Sequence, residues 1–377
     1  MRLLAICLIL SSCNALKIIT GAKTHFDDKF IESPYQIHIP NHPFGPSRDD
    51  SPLVEVYGAK AGDLVEVFLD PGCSIPVGQG SSDGVKASFT LSALPEGEHG
   101  LYATVSTISG VHSPCSAELA RYHYLNCPSG FIAVPGSHLL GVSPFCVMKF
   151  EAKNDVGVAS SQASIVPWTN VTRASADTEC EALGANYDLI SNPEWVSIAH
   201  SIELTEQNWS GGSVGIGMIP RGHSDSLPAM PKDISDPTNP YDNTGNSAGS
   251  GWEQKRTLML LNGEEIWDFS GNVMEWVDWS LGGTLDDGVV CGTLNEELNG
   301  DLSSCVGLVS ADYQSLNGNF GSAQGFGLFR DQASGDAAVH RGGSFNSGAG
   351  AGVLAIQVQI NPSSAFTNLG FRCVYRP

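Results

Sequence analysis

The stretch Glu264 to Trp279, EEIWDFSGNVMEWVDW, constrains the fold more than any other part of the chain. Trp267, Phe269, Val273, Trp276 and Trp279 set apolar and aromatic anchors among carboxylates and turn formers. Ser270-Gly271-Asn272 reads as a tight turn, and Asp268 and Glu275 flank it. Two carboxylates around a turn whose carbonyls face outward suit an oxygen-liganded cation such as calcium. The same letters also describe a strand, a turn and a strand with solvated acids. Spacing alone leaves both readings open.

The stretch resembles the WD-x-x-GNV-x-EW signature of the formylglycine-generating-enzyme (sulfatase-modifying factor) superfamily. The resemblance continues at His340 to Phe345, HRGGSF, and ends at Gly370-Phe371-Arg372-Cys373. It implies an α+β domain with a variant of the C-type lectin fold over residues 127–377. That fold carries enzymes, toxins and binding proteins alike, so it does not by itself imply an activity. Carried over by position, the family's calcium site falls on Asp268 (where the family has Asn), the carbonyls of Gly271 and Val273, and the carboxylate of Glu275. Its role would be structural. Aerobic formylglycine-generating enzymes bind copper through two cysteines just after RGGSF, because their oxygen chemistry needs a thiolate pair. Here Asn346-Ser347-Gly348-Ala349-Gly350-Ala351-Gly352 follows Phe345, and no cysteine occurs before Cys373. No copper is expected, and no catalytic residue is assigned. Relatives of the ergothioneine type use a histidine-ligated iron, whereas His200, His223 and His340 are scattered along this sequence.

A length of 377 residues leads us to expect two or three domains. Charged residues make up only 16%, beside 43 Gly and 21 Pro, which suits a turn-rich exported protein. The formal net charge of −21 argues against nucleic acid and against an anionic membrane surface as partners. Met1-Arg2 precedes an apolar run, Leu3 to Leu10, too short to span a bilayer. The run ends in Leu10-Ser11-Ser12-Cys13, which resembles a bacterial lipobox. Residues 1–12 are therefore expected to be a signal peptide, and Cys13 the site of acylation. Lipid chains there would hold the protein at the cell envelope, at the outer membrane or cell surface. Residues 13–50, with Pro34, Pro40, Pro43 and Pro46, read as a tether.

Residues 51–126 contain strand patterns at Leu53–Tyr57, Leu64–Leu69, Ala87–Leu91 and Leu101–Val105, bounded by Gly and Pro. They suggest a small all-β sandwich. Gly58, Gly62-Asp63, Val65, Phe68, Asp70 and Cys73 resemble bacterial Ig-like repeats, with Cys115 as the partner cysteine. A spacer or adhesion role would follow. Once Cys7 leaves with the signal and Cys13 is acylated, eight cysteines remain, an even count that suggests disulfides. The expected pairs are Cys73–Cys115, Cys127–Cys146, Cys180–Cys373 and Cys291–Cys305. The third would tie the first helix to the last strand, as the lectin-like resemblance implies. None of these cysteines has zinc or redox spacing.

In the last domain, Phe131–Val134 and Phe145–Phe150 look like strands, and Ser175–Leu183 like a helix. A second helix is expected to start at Ser191 or Asn192, with Pro193 in its first turn and Trp195, Ile198, Ala199 and Ile202 on one face. Residues 207–256 are mostly Gly, Ser, Asn, Asp and Pro, a long loop. Within it, His223 and Asp225 have the spacing of a base and its orienter, but no nucleophile accompanies them. The sequons at Asn170 and Asn208 read as incidental. Ser344 to Asn368 is rich in small and polar residues between fixed markers. It resembles the variable region of lectin-fold proteins diversified by retroelements. That resemblance points to Phe345, Asn346, Gln357, Gln359, Asn361, Phe366 and Asn368 as ligand-contacting residues. The other reading is a core strand over Val353–Ile360 with a polar outer face. The sequence thus leads to a non-catalytic surface lipoprotein that recognises a glycan or a protein. Its alternatives are an enzyme of the same superfamily with an atypical site and a structural envelope component.

Overall fold

The computed structural model describes residues 31–40, 45–225, 227–231, 251–279, 295–300, 302, 308–330 and 338–377, with the side chain of Gln359 excepted. The expected signal peptide, Cys13, and the pair Cys291 and Cys305 lie outside the described residues, as does part of the tether. The described residues fall into two compact units. One comprises those up to Ile37 with Glu55–Phe89 and Leu101–Ala120, the other His38–Val54, Thr90–Gly100 and Arg121–Pro377. Among the described residues no helix is long and apolar enough to cross a membrane.

In the first unit, strand β1 (Leu64–Phe68) pairs antiparallel with β2 (Pro76–Ser81) and with the part of β3 (Gly97–Ser106) that lies in this unit. Val65, Val67, Leu101, Ala103 and Val105 point inward with the period of two that a half-buried strand requires. Cys73 and Cys115 form a disulfide here.

The second unit carries the motifs. Its first elements are β4 (Phe131–Val134), β5 (Phe145–Met148), β6 (Lys153–Asp155), β7 (Val158–Ser160) and helix α1 (Arg173–Glu181). Strand β8 (Tyr187–Leu189), helix α2 (Asn192–Glu203), β9 (Thr257–Met259), β10 (Glu265–Trp267) and β11 (Met274–Trp276) follow. The last are β12 (Glu296–Glu297), β13 (Leu328–Arg330), β14 (Ala338–Arg341), β15 (Ile356–Ile360), β16 (Leu369–Phe371) and β17 (Cys373–Tyr375). A four-stranded sheet has the order β8-β17-β5-β4, and a six-stranded sheet the order β12-β13-β15-β14-β11-β16. The chain steps from the second sheet into the first at a single residue, Arg372, between β16 and β17.

Helix α2 starts where the expected cap stands. Ser191 accepts from the Glu194 amide while the Glu194 carboxylate accepts from the Ser191 amide, so two otherwise orphaned donors are satisfied at the first turn. Helix α1 starts at Arg173 rather than Ser175, because Thr172 takes the cap and accepts from the Ser175 amide. Trp195 of α2 stacks on Phe269 with ring centroids 3.9 Å apart, and its indole N–H donates to the Val353 carbonyl at 2.8 Å. The aromatic spacing of the central stretch is thus a core device. The apolar side chains at Val353 and Leu354 are buried ahead of the strand, which spans only Ile356–Ile360. Disulfides Cys127–Cys146 and Cys180–Cys373 brace the four-stranded sheet, the second joining α1 to β17.

His340 of β14 faces Gln357 of β15 and Trp276 of β11, the latter edge-on with centroids 5.7 Å apart. Burial pushes its imidazole down to about 4, outweighing the polar groups of Ala338 and Gln357 near it. A histidine held neutral in the folded state stabilises the fold fully above its ordinary pKa near 6.5. That contribution is lost as pH falls through about 4. The shift corresponds to a loss on the order of 3 kcal/mol across this window. Urea unfolding of the native chain and of His340→Gln between pH 7 and pH 4 should therefore diverge, with the shallower decline in the variant. Parallel declines would remove His340 as the source.

Candidate functional site

The turn Ser270-Gly271-Asn272 sits at the centre of the second unit, and its geometry follows from its letters. Asp268, Gly271 and Asn272 all have positive φ, at 54°, 80° and 58°. A Cβ on Gly271 would stand 2.7 Å from the carbonyl oxygens of both Arg221 and His223, so only glycine fits there. The turn is tied to the HRGGSF motif by two backbone hydrogen bonds. The Gly271 amide donates to the Gly342 carbonyl at 3.2 Å, and the Phe345 amide donates to the Asn272 carbonyl at 2.9 Å.

Around the turn lie six buried ionisable groups. Arg256 grips Asp268 through both carboxylate oxygens, at 2.5 and 2.7 Å. Arg372 grips Glu275 in the same way, at 3.0 and 2.8 Å, and also donates to the carbonyls of Met148 and Trp267. Lys153 lies 3.3 Å from Glu151, whose carboxylate also accepts from the Asn272 amide group at 2.7 Å and the Val273 amide at 3.1 Å. Three carboxyl groups and three basic groups thus pair in the interior, each nearly or wholly shielded from solvent. Burial raises Glu151 against the pull of Lys153, and burial lowers Lys153. Burial also raises Glu275, with Arg372 opposing. For Arg256, burial works against the charge but Asp268 outweighs it and raises the guanidinium overall.

These partners correct the reading of Asp268, Gly271, Val273 and Glu275 as a calcium site. Both oxygens of Asp268 and both of Glu275 are held by guanidinium groups, so the donor set does not fit a calcium ion. A divalent ion would have to displace two buried arginines. The carboxylates are also not solvated, which the strand-turn-strand alternative had them be. Sequence reasoning missed Glu151, Lys153 and Arg256. The alternation of Glu151 and Lys153 with Phe150 and Ala152 carries a signal, since charges on one face of an extended segment behind apolar strands need buried partners. Arg256 has no such signal. Elsewhere in this unit, Asp177, Glu181 and Asp188 bring ligand atoms within 4.8 Å of one another, but Asp188 already pairs with Arg376 at 2.6 Å.

The expected ligand-contacting residues separate into two groups. Phe345 and Gln357 are buried, which corrects their assignment to a contact face: Phe345 packs beside the His223 ring, and Gln357 faces His340 across β14 and β15. Asn346, Asn361 and Phe366 are exposed, and Asn368 is half-buried. The side chain of Gln359 lies outside the described residues. Ser344 donates to the Asn346 side-chain oxygen at 2.7 Å, and the Asn368 amide reaches that oxygen at 3.4 Å. The Asn368 carbonyl accepts from the Met274 amide at 2.9 Å, which anchors this polar group to β11. Phe366 keeps 46% of its surface open to solvent. His223 is buried, with its Nε2 2.7 Å from the Pro228 carbonyl oxygen, and Asp225 accepts from the Ser224 hydroxyl at 3.3 Å.

Residues 129–377 match the family model of the sulfatase-modifying factor enzyme 1-like domain. The chain belongs to this family. Helices α1 and α2 beside two sheets agree with the lectin-like arrangement that the resemblance implied for it. A comparison with curated protein sequences finds no match. Similar solved structures include variable protein 1 of Treponema denticola, 16% identical, covering 62% of this chain and 85% of that one at a TM-score of 0.28. The Major Tropism Determinant I1 variant is 12% identical, covering 90% of this chain and 83% of that one at a TM-score of 0.38. PvdO from Pseudomonas aeruginosa is 13% identical, covering 66% and 92% at 0.30. The family assignment rests on the sequence match.

Removing one partner of a buried ion pair leaves an uncompensated charge, a loss of about 3–5 kcal/mol. Arg372→Ala should therefore destabilise the chain by that amount in urea unfolding. The double variant Arg372→Met/Glu275→Leu should lose less, because both charges leave together. A double variant at least as unstable as the single one would rule the pair out as the cause. Unfolding midpoints in calcium and in chelator should coincide; a midpoint several degrees higher in calcium would show that the ion displaces the guanidinium groups.

Proposed function

We propose that this family member is a non-catalytic recognition protein of the cell envelope. Its contact face is the exposed part of the 344–368 segment, with Asn346, Asn361, Phe366 and Asn368 meeting a glycan or a surface protein. The supporting observation is a contrast within one unit. The motif residues are consumed by buried pairs, while the adjoining segment presents amides and one open aromatic ring on a braced frame. Amides offer both donors and acceptors, and a phenyl ring offers apolar area at small entropic cost, a combination suited to recognition. The net charge of −21 favours neutral or basic partners.

In this reading residues 51–126 are an Ig-like spacer and 127–377 the recognition domain. Residues 1–50 supply the signal peptide, the acylated Cys13 and the tether to the outer membrane or cell surface. The lack of a cysteine between Phe345 and Cys373 favours recognition over the copper-dependent activity of the family's enzymes. An envelope scaffold binding a neighbouring subunit is the second reading.

The full chain should bind at least one member of a panel of glycans and cell-surface proteins. Phe366→Ala and Asn346→Ala should each weaken that binding about tenfold without lowering the unfolding midpoint. Gln357→Ala, by contrast, should lower the midpoint. Absence of binding across the panel would discard recognition in favour of the scaffold.

A further inference from the structure

A concavity of about 460 Å³ opens in the second unit and uses none of the residues of the 344–368 segment. Its volume lies within the range of small-ligand sites, about 300–1,000 Å³. One wall is apolar and aromatic. Phe131 of β4 and Tyr187 of β8 meet edge-to-face with centroids 5.7 Å apart, and Leu183 lies beside them just past α1. Polar lining comes from the β6–β7 hairpin and the residues after it: Asp155, Ser160, Ser161 and Gln162.

The hydrogen bonds of the polar lining leave capacity for a ligand. The Ser161 hydroxyl accepts from the Phe150 amide at 3.1 Å, so its own proton remains to be donated. The Gln162 amide donates one of its two protons to the Ser160 hydroxyl at 2.8 Å, leaving the second. Asp155 is exposed and offers carboxylate oxygens as acceptors. Burial raises the Tyr187 phenol, with Tyr375 adding to the effect, so it is a protonated donor at neutral pH. Among the described residues no lysine or arginine lines the concavity, so none of them would neutralise an anion there.

The walls are also held in place. The Cys127–Cys146 disulfide fixes the chain just before Pro128 and Ser129, which line one end. The Cys180–Cys373 disulfide fixes the helix end that carries Leu183, and β17 pairs with the Tyr187 strand. Gly130 adds a close approach: a Cβ there would stand 2.7 Å from the Ser161 carbonyl oxygen. Such bracing cuts the ordering cost of binding.

We infer that this concavity is a binding site for a neutral hexose unit, the ring lying on the Tyr187 face and its hydroxyls meeting Asp155, Ser161 and Gln162. A sugar presents apolar C–H groups on one face and hydroxyls around its edge, and the lining combines aromatic side chains with donors and acceptors. The site is separate from the proposed contact face, so either can fail alone.

The test is saturation-transfer NMR on the full chain, with methyl glucoside, methyl mannoside, methyl galactoside and N-acetylglucosamine as probes at millimolar concentration. At least one probe should show transfer. Gln162→Ala should weaken it about fivefold, the scale of one lost hydrogen bond. Tyr187→Leu should weaken it about tenfold. Asn346→Ala and Phe366→Ala should leave it unchanged, which separates this site from the contact face. Gln162 lies in the segment after β7, so its variant reports on the site even if Tyr187→Leu impairs folding. No transfer with any probe overturns the inference. So does transfer that survives Gln162→Ala and Tyr187→Leu undiminished, or that falls with Phe366→Ala instead.

Discussion

The pair of Arg372 with Glu275 is the interaction on which the rest of the second unit depends. Arg372 stands where the chain leaves the six-stranded sheet for the four-stranded one. Its guanidinium reaches Glu275 on β11, the Met148 carbonyl on β5 and the Trp267 carbonyl on β10. One planar group with fixed donor directions therefore sets the spacing of three strands. Buried pairs of this kind contribute little net stability against an apolar replacement, but they tolerate almost no misplacement. Arg256 with Asp268, and Lys153 with Glu151, extend the same constraint to the turn between β10 and β11.

This arrangement explains why the motifs are spread along the chain yet act together. The SGN turn, the HRGGSF segment and the GFRC end are joined by backbone hydrogen bonds and by guanidinium–carboxylate contacts within one neighbourhood. Their letters serve a frame. Beside that frame, Asn346 and Phe366 are open to solvent and Asn368 is half-buried. In the proposed recognition role, such a braced base would meet ordering costs before a ligand arrives.

Much of this was legible in the sequence. The aromatic spacing of Glu264–Trp279 and the spacing of Trp195, Ile198 and Ile202 reported a core correctly, since burial patterns follow local periodicity. The Ser191–Glu194 cap was readable because its chemistry is confined to one helical turn. The site was less legible. Asp268 and Glu275 look like cation ligands when only their neighbours in the chain are seen, and nothing local announces that guanidinium groups 12 and 97 residues away satisfy both. Phe345 and Gln357 failed as surface candidates for the same reason: a strand's two faces differ only in what lies across from them.

The sequence by itself determined the family, through three ordered motifs, and it determined the start of α2 and the burial of the aromatic residues of the Glu264–Trp279 stretch. Those properties depend on chain-local chemistry. Only the tertiary structure decided the partners of the buried charges, the inward turn of Phe345 and Gln357, and the concavity between Tyr187 and Gln162. Each of these depends on long-range pairing, and a carboxylate carries no mark that distinguishes an arginine partner from a metal ion until both are placed in space.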